Sequence, residues 1–328
     1  MVANLTRILP IKSKKWNEVG PTPLLVPSLS SRVNLPMRKT IGILGDVVTG
    51  PFLISAYDFH YTRQFPEISF SELLFLDSGG YEVAKENDVD IGLYKPDSKP
   101  WTRSLHLDSI NKWPKNLPTV VISYDHPKER QSLQSQIQHA TELFQNRDDV
   151  ISEFLIKPET KISKRVDLKN LLNSLELLAD FDILGITEKE LGKSILENMI
   201  AIAKIRLKMK DIGMEKPLHI FGSLDPITTP LYYFSGADIF DGLSWLRFIF
   251  DNGCSMYVDS FGPKKEGIHQ KMEMIRLSSI YNNYSSLTRL KLDLEKFHST
   301  KQFQIFGDNA NFFENACADL DVKLGGVE

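Results

Sequence analysis

Leu73-Leu74-Phe75-Leu76-Asp77-Ser78-Gly79-Gly80 is the stretch on which the fold of this chain turns. A short, unbroken apolar run gives way at once to a carboxylate, a hydroxyl and two glycines. Such a run suits a strand buried on both faces, as in a parallel sheet, whereas a strand with one wet face would alternate. The form recurs in both directions. Ile41 to Leu44 ends at Gly45-Asp46, Phe52 to Ser55 leads into Tyr57-Asp58, and Thr119 to Ser123 ends at Tyr124-Asp125-His126-Pro127. Phe154 to Ile156 ends at Lys157-Pro158, and Ile183-Leu184 at Gly185-Ile186-Thr187. Leu218 to Phe221 ends at Gly222, and Asp238 to Phe240 at Asp241-Gly242.

The intervening stretches carry apolar residues at helical spacing, notably Gln131 to Phe144, Leu168 to Leu178 and Leu191 to Met209. In the last of these Ile195, Met199, Ile202, Ile205 and Met209 form the inward stripe, while Lys193, Glu197 and Lys204 face water. Thr187 and Glu190 have the spacing of a capping box. Roughly eight strand-helix units without a linker or repeat predict an α/β protein, a closed (β/α)8 TIM barrel. A doubly wound open sheet is the alternative. Met272 to Phe297 reads as a helix on the barrel's outside, and Lys301 to Glu328 as a polar, Gly-containing terminus.

The bulk composition fits. The chain has 328 residues, 42% of them hydrophobic and 25% charged, enough for a large core without disulfide or metal staples. A formal net charge of −3 argues against non-specific coating of nucleic acid, though not against a local basic groove. The two cysteines, Cys254 and Cys317, cannot make a disulfide framework or a four-cysteine zinc site. The stretch from Met1 to Trp16 mixes Arg7, Lys12, Lys14 and Lys15 with short apolar pieces, unlike a signal peptide. With no run of about 18 apolar residues, the expectation is a cytoplasmic protein without a membrane span.

In a barrel of this kind the carboxyl ends of the strands surround one mouth. The strand assignments bring Asp77, Ser78, Tyr81, Asp125, Lys157, Thr187, Phe221, Gly222 and Asp241 there. Several carboxylates in one pocket suit one as nucleophile and another as acid/base. Each has a plainer reading: a lone strand-end Asp is most often a loop residue or helix cap, which fits Asp125 well. Gly79-Gly80 allows close approach of the backbone to a ligand, or forms a phosphate nest. Tyr81 and Phe221 are either core or the two walls of a slot for a flat base. His60, His126 and His219 read as structural or rim residues.

Leu76-Asp77-Ser78-Gly79-Gly80-Tyr81, the Tyr124-Asp125 strand end and Gly236-Ala237-Asp238-Ile239-Phe240-Asp241 together resemble the tRNA-guanine transglycosylase superfamily. Thr22-Pro23-Leu24-Leu25-Val26-Pro27 and Tyr281-Asn282-Asn283-Tyr284 resemble it too. The resemblance covers about Thr22 to Phe297, so the chain is expected to be one domain over 1–328. Its core would be 22–297 and its C-terminal helical extension 298–328. The resemblance implies base exchange in a polynucleotide, guanine leaving and a 7-deazaguanine entering. It makes Asp241 the nucleophile on the ribose C1′ and Asp77 the acid/base. Ser78 and Asp125 would hydrogen-bond the base between Tyr81 and Phe221. Gly185 would lie near the backbone amide that reads the base carbonyl, and Arg247 would engage the nucleic-acid backbone. Gly79, Gly80 and Gly222 belong to the same substrate-binding set.

Departures from the family are equally plain. Between Gly242 and Tyr281 the chain has only Cys254, and Asn282 stands where the family's helix supplies a zinc-binding histidine. No metal and no cofactor are therefore expected, and the tRNA docking and dimer contacts tied to that element are open. A homodimer and a separate partner subunit are both compatible with the chain. Lys157 replaces a base-reading glutamine, and Pro127 a cysteine. The missing zinc element and the Trp-bearing Asp241-Gly242-Leu243-Ser244-Trp245 run put a DNA-modifying transglycosylase ahead of a tRNA-modifying one. A non-catalytic nucleic-acid-binding paralogue and a glycosidase or deoxyribosyltransferase of free nucleosides are the other readings. Lys264, Lys265 and Lys271 are candidates for a polymer path or a solvated face.

Overall fold

In a computed structural model, residues 5–13, 15–33, 35–84 and 98–325 are described, so Lys14 and the end of the C-terminal extension lie outside it. The strands are β1 (Pro10–Ser13), β2 (Asn17–Pro21), β3 (Leu24–Leu29), β4 (Phe52–Ser55), β5 (Leu74–Asp77) and β6 (Thr119–Ile122). They continue with β7 (Ile151–Ile156), β8 (Ile183–Thr187), β9 (Leu218–Phe221), β10 (Ile239–Gly242), β11 (Phe248–Asp251) and β12 (Cys254–Tyr257). The helices begin with α1 (Met37–Leu44), α2 (Ala56–Tyr61), α3 (Gly80–Val83), α4 (Arg103–Lys112), α5 (Leu133–Phe144) and α6 (Leu168–Ser174). They end with α7 (Ile195–Asp211), α8 (Thr228–Phe234), α9 (Ser244–Arg247), α10 (Val258–Glu266), α11 (Met272–Thr300) and α12 (Ala310–Gly325).

Strands β3 to β10 close a parallel barrel in sequence order, β10 returning to pair with β3. This is the (β/α)8 fold with a C-terminal helical extension. The register is regular: Leu76 of β5 lies opposite Ile54 of β4 and Val121 of β6, and Asp241 of β10 opposite Val26 of β3. All six residues of β3 and of β7 are buried, as strands covered on both faces require.

One strand expectation fails. Ile41 to Leu44 is the last turn of α1, with Thr40, Ile41 and Leu44 buried at helical spacing. A four-residue apolar run has no period of its own, so a half-buried helix imitates a strand. The first barrel strand is instead Leu24–Leu29, whose Pro27 and Ser28 interrupt the apolar run. The capping box is also displaced. Thr187 makes no side-chain cap bond, whereas Oγ of Ser194 accepts from Glu197 N at 3.2 Å. Glu197 reaches back to accept from Lys193 N at 2.6 Å, which starts α7. Of the expected inward stripe, Met199, Ile202, Ile205 and Met209 are buried, but Ile195 in the first turn is exposed.

The chain divides into two compact units, one of Met1–Leu9, Pro21–Pro27 and Thr187–Glu328, the other of Pro10–Gly20 and Ser28–Ile186. In the first, the base of β10 is fastened by a buried ion cluster. Asp238 accepts from Arg206 of α7 at 2.5 Å, from Arg7 at 2.9 Å and from Leu218 N at 2.7 Å. The terminus beyond Lys301, read as polar, contains α12 of the expected helical extension, held by aromatic rings. Phe234 of α8 packs on Phe297 at 4.5 Å between ring centres, and Phe306 on Phe313 at 5.2 Å. Each such pair contributes roughly 0.5–1.5 kcal/mol beyond its buried area. Among the described residues no helix is long and apolar enough to cross a membrane.

Candidate active site

Asp241 is the penultimate residue of β10 and is buried. Its Oδ1 accepts the Gly222 N–H at 2.9 Å, and its own carbonyl accepts from Leu224 N at 2.9 Å. The loop after β9 therefore wraps the end of β10 and fixes the carboxylate. His219 Nε2 lies 3.4 Å from the same Oδ1, and His219 is fully buried. Its ring stacks on Phe221 at 3.8 Å, 25° from parallel. One face of Phe221 is thus covered by imidazole. The two-residue period of a strand puts His219 and Phe221 on one side, the signal in the sequence that would have revealed this residue. Arg247 closes the short α9 after β10 and is partly buried.

A second acid of this unit, Glu188, follows β8 directly. Its Oε1 accepts from the Tyr232 hydroxyl at 2.6 Å, and burial pushes its pKa up. Cys254 is exposed at the start of β12, and the Asn282 amide donates to Ser278 at 3.3 Å. These two residues do not fit zinc, and the described residues contain no cluster of three His, Cys, Asp or Glu able to hold a metal. A hydrogen-bond staple fastens this region instead. Fully buried Asn283 of α11 accepts from Phe250 N at 2.7 Å and donates to Trp245 O at 2.7 Å and Phe248 O at 2.6 Å. Of the candidate polymer contacts, Lys265 pairs with Asp251 at 2.8 Å, whereas Lys264 and Lys271 are exposed.

In the other unit, β5 delivers Asp77, and the chain then turns sharply into α3. Gly79 takes φ +84°, and an added Cβ would lie 2.8 Å from both Trp101 Nε1 and Tyr57 Cβ. Glycine is required here twice over, by conformation and by space. Trp101 donates to the Ser78 carbonyl at 2.8 Å, and Ser78 Oγ accepts from Gly80 N at 3.3 Å. Gly80 abuts Asp125: an added Cβ would stand 2.7 Å from Asp125 Oδ2. The close approach that the double glycine permits is therefore to Trp101, Tyr57 and Asp125.

Asp125 is no helix cap; Ser132 performs that role for α5. Asp125 instead accepts from Arg130 at 2.6 Å and lies 3.4 Å from Lys157 Nζ. Lys157 is itself placed by Gln136, whose amide accepts from Lys157 N at 3.0 Å and donates to Lys157 O at 3.0 Å. Tyr81 has one face covered, with the Arg32 guanidinium 4.3 Å from its ring centre and bonded to its carbonyl at 2.7 Å. Gly185 sits inside β8, opposite Leu155 of β7.

Behind this turn are two acids that spacing did not single out. Glu82 of α3 is buried, and Oε1 accepts from Ser30 at 2.6 Å. Burial, then the charges of Asp58 and Asp77, hold its carboxyl well above the usual carboxylate range. Asp58 accepts from Ser31 N at 2.9 Å, and burial pushes its pKa up to about 6. Arg130, Arg32 and Gln136 were equally invisible in sequence, because each acts through a partner fixed only by folding.

No family model matches the chain. A tRNA-guanine(15) transglycosylase of Nanoarchaeum equitans (strain Kin4-M) is 24% identical over 186 residues, 55% of this chain and 42% of that protein. The match thus spans less than half the length of the relative. The closed parallel barrel and this partial similarity point the same way as the resemblance read from the sequence.

Proposed function

We propose that the chain is a nucleic-acid guanine transglycosylase that replaces guanine by a 7-deazaguanine base, with DNA ahead of tRNA as the polymer. The observation that carries this reading is the anchored carboxylate of Asp241. Held through Oδ1 by the Gly222 N–H and placed beside His219, it is oriented before substrate arrives. A nucleophile in fixed geometry gains much of the advantage of an intramolecular reaction.

In this reading an Asp241 oxygen forms a bond to C1′ as the bond from C1′ to the guanine nitrogen breaks. The developing positive charge on the sugar is stabilised by the carboxylate. Asp77 gives a proton to the departing base and takes one from the arriving base, whose nitrogen then displaces Asp241 from C1′. Two displacements leave the sugar configuration unchanged, and no phosphodiester bond breaks. Asp125, made a fixed acceptor by Arg130 and Lys157, and Ser78 read the base. Tyr81 and Phe221 each offer a face opposite Arg32 and His219. Gly79 and Gly80 shape the turn, Gly185 within β8 and Gly222 after β9 offer backbone, and Arg247 contacts the polymer backbone.

The absence of a fitting zinc site in the α9 to α11 region favours DNA, since that element aids tRNA docking in the family. The name of the Nanoarchaeum relative favours tRNA. Incubation with a radiolabelled 7-deazaguanine base and either duplex DNA or tRNA separates the two. Label in tRNA alone would remove the DNA reading. No label and no covalent adduct with either polymer, while binding persists, would leave a nucleic-acid-binding paralogue.

A further inference from the structure

The loop that runs from the carboxyl end of β7 into α6 is strongly cationic. From Lys157 to Lys169 stand five basic residues and two acidic ones, in a chain of formal net charge −3. Both acids are engaged locally. Glu159 accepts from Leu133 N at 3.1 Å and from the Asn170 amide at 2.6 Å, and Asp167 caps α6 by accepting from Asn170 N at 3.0 Å. Lys161 and Lys164 are exposed and form no ion pair with a described residue. Between them Ile162 is 93% exposed, more than any other large apolar side chain among the described residues. It sits inside a closed turn: the Thr160 and Ser163 hydroxyls lie 2.8 Å apart, and Thr160 Oγ1 accepts from Ser163 N at 3.1 Å.

We infer that this loop is a contact for a base-stacked duplex, with Lys161 and Lys164 on its phosphates and Ile162 inserted into the stack near the base withdrawn for exchange. The surplus of positive charge selects a polyanion. A single exposed apolar side chain means nothing by itself. Ile162, however, stands between two lysines without acidic partners, on the side of a parallel barrel where substrates bind. A protein partner would need a patch of roughly 20–30 residues, and a membrane a broad apolar face. A base step takes one aliphatic wedge, isoleucine among those used. Withdrawing a base leaves a gap in the stack, which such a wedge fills. The reach suffices. Ile162 is five residues beyond Lys157, so their Cα atoms are at most about 18 Å apart. That is roughly five steps of a stacked duplex.

The withdrawn base rests on the transglycosylase reading; the contact itself is tested without base exchange. Binding of fluorescein-labelled duplex DNA and of labelled tRNA is measured by anisotropy over a range of salt concentrations. In the double variant Lys161→Glu, Lys164→Glu affinity should fall roughly tenfold or more at low salt. The slope of log affinity against log salt should flatten by about two. The effect on DNA alone, tRNA alone or both supports the contact and identifies the polymer. Lys296→Glu on α11 makes a comparable change of charge at an exposed lysine elsewhere and should leave the slope as it was. Ile162→Ser should keep the slope. It should lose the parent protein's preference, roughly tenfold, for a duplex of the bound polymer with one abasic site over the intact duplex. Failure of the parent protein to bind, an unchanged slope in the double variant, an equal change in Lys296→Glu, or a preference untouched by Ile162→Ser would each overturn the inference. Base exchange alongside any of those results would leave the proposed function standing. The expected binding results without any exchange would remove the proposed function and leave the duplex contact.

Discussion

His219 Nε2 lies 3.4 Å from Oδ1 of Asp241, with the imidazole fully buried and stacked on Phe221. The proposed nucleophile is therefore held by a backbone N–H on the same oxygen that faces the imidazole. Replacing His219 by Leu removes this neighbour but keeps the bulk. Turnover in base exchange should fall about 10- to 100-fold, the scale of losing one preorganised polar group. The pH profile of turnover should also change shape, and His219→Gln should recover part of the rate. A uniform fall at every pH, tracking lost thermal stability, would make His219 merely structural.

Gly80 offers a test that leaves every charged group in place. Its missing Cβ makes room for Asp125, whose Oδ2 would be 2.7 Å away from an alanine methyl. Gly80→Ala should push Asp125 off Arg130 and Lys157 while sparing the helix. Base exchange should drop about 10- to 100-fold, as small misplacements of a positioning group do. The melting temperature should change little. If steady-state kinetics match the parent protein, Asp125 does not read the base.

The buried acids Asp58 and Glu82 make stability depend on pH. Unfolded carboxyls titrate near 4, whereas folded Asp58 titrates at about 6 and Glu82 is raised as well. The folded state holds more protons, so this stability is fully present below about pH 4 and lost as pH rises through 6. For Asp58 the rise corresponds to about 3 kcal/mol. Urea unfolding at pH 5 and pH 8 should show the loss, and Asp58→Asn or Glu82→Gln should flatten it. Equal slopes in all three proteins would contradict the assignment.

Asn283 supports the β11–β12 hairpin through three hydrogen bonds. Asn283→Ala strands one N–H and two carbonyls, at about 3 kcal/mol in sum. Amide exchange should accelerate at Phe250 before it does in the barrel strands. Protection that falls equally everywhere would show that the hairpin is not held locally.

Arg206→Met leaves Asp238 with Arg7 as its remaining charged partner. Because the acid is fully buried, chemical denaturation should report a loss of about 3–5 kcal/mol. A loss below about 1 kcal/mol would mean that the cluster is not a stabilising clamp.

Seven of the eight barrel strands were legible from short apolar runs, because burial on both faces selects apolar residues even where Ser152, Glu153 and His219 stand among them. The eighth was not. Ile41 to Leu44 imitates a strand, and Leu24–Leu29 hides its own run behind Pro27 and Ser28. The packing of the terminus after Lys301 was not legible because its phenylalanines are spread among polar residues, and only contact with Phe234 and Phe297 gives them a core.

By itself the sequence determined most of the strand ends, and with them where Asp77, Asp125, Lys157 and Asp241 stand along or just after their strands. Composition and period suffice for that, since burial of a strand is a local property of its residues. Tertiary structure alone decided the partners of these groups. His219 beside Asp241, Arg130 and Lys157 on Asp125, Gly80 against the same carboxylate, and Asn283 under the hairpin are contacts between distant segments. A carboxylate's orientation depends on the groups around it in space, and no spacing along the chain encodes them.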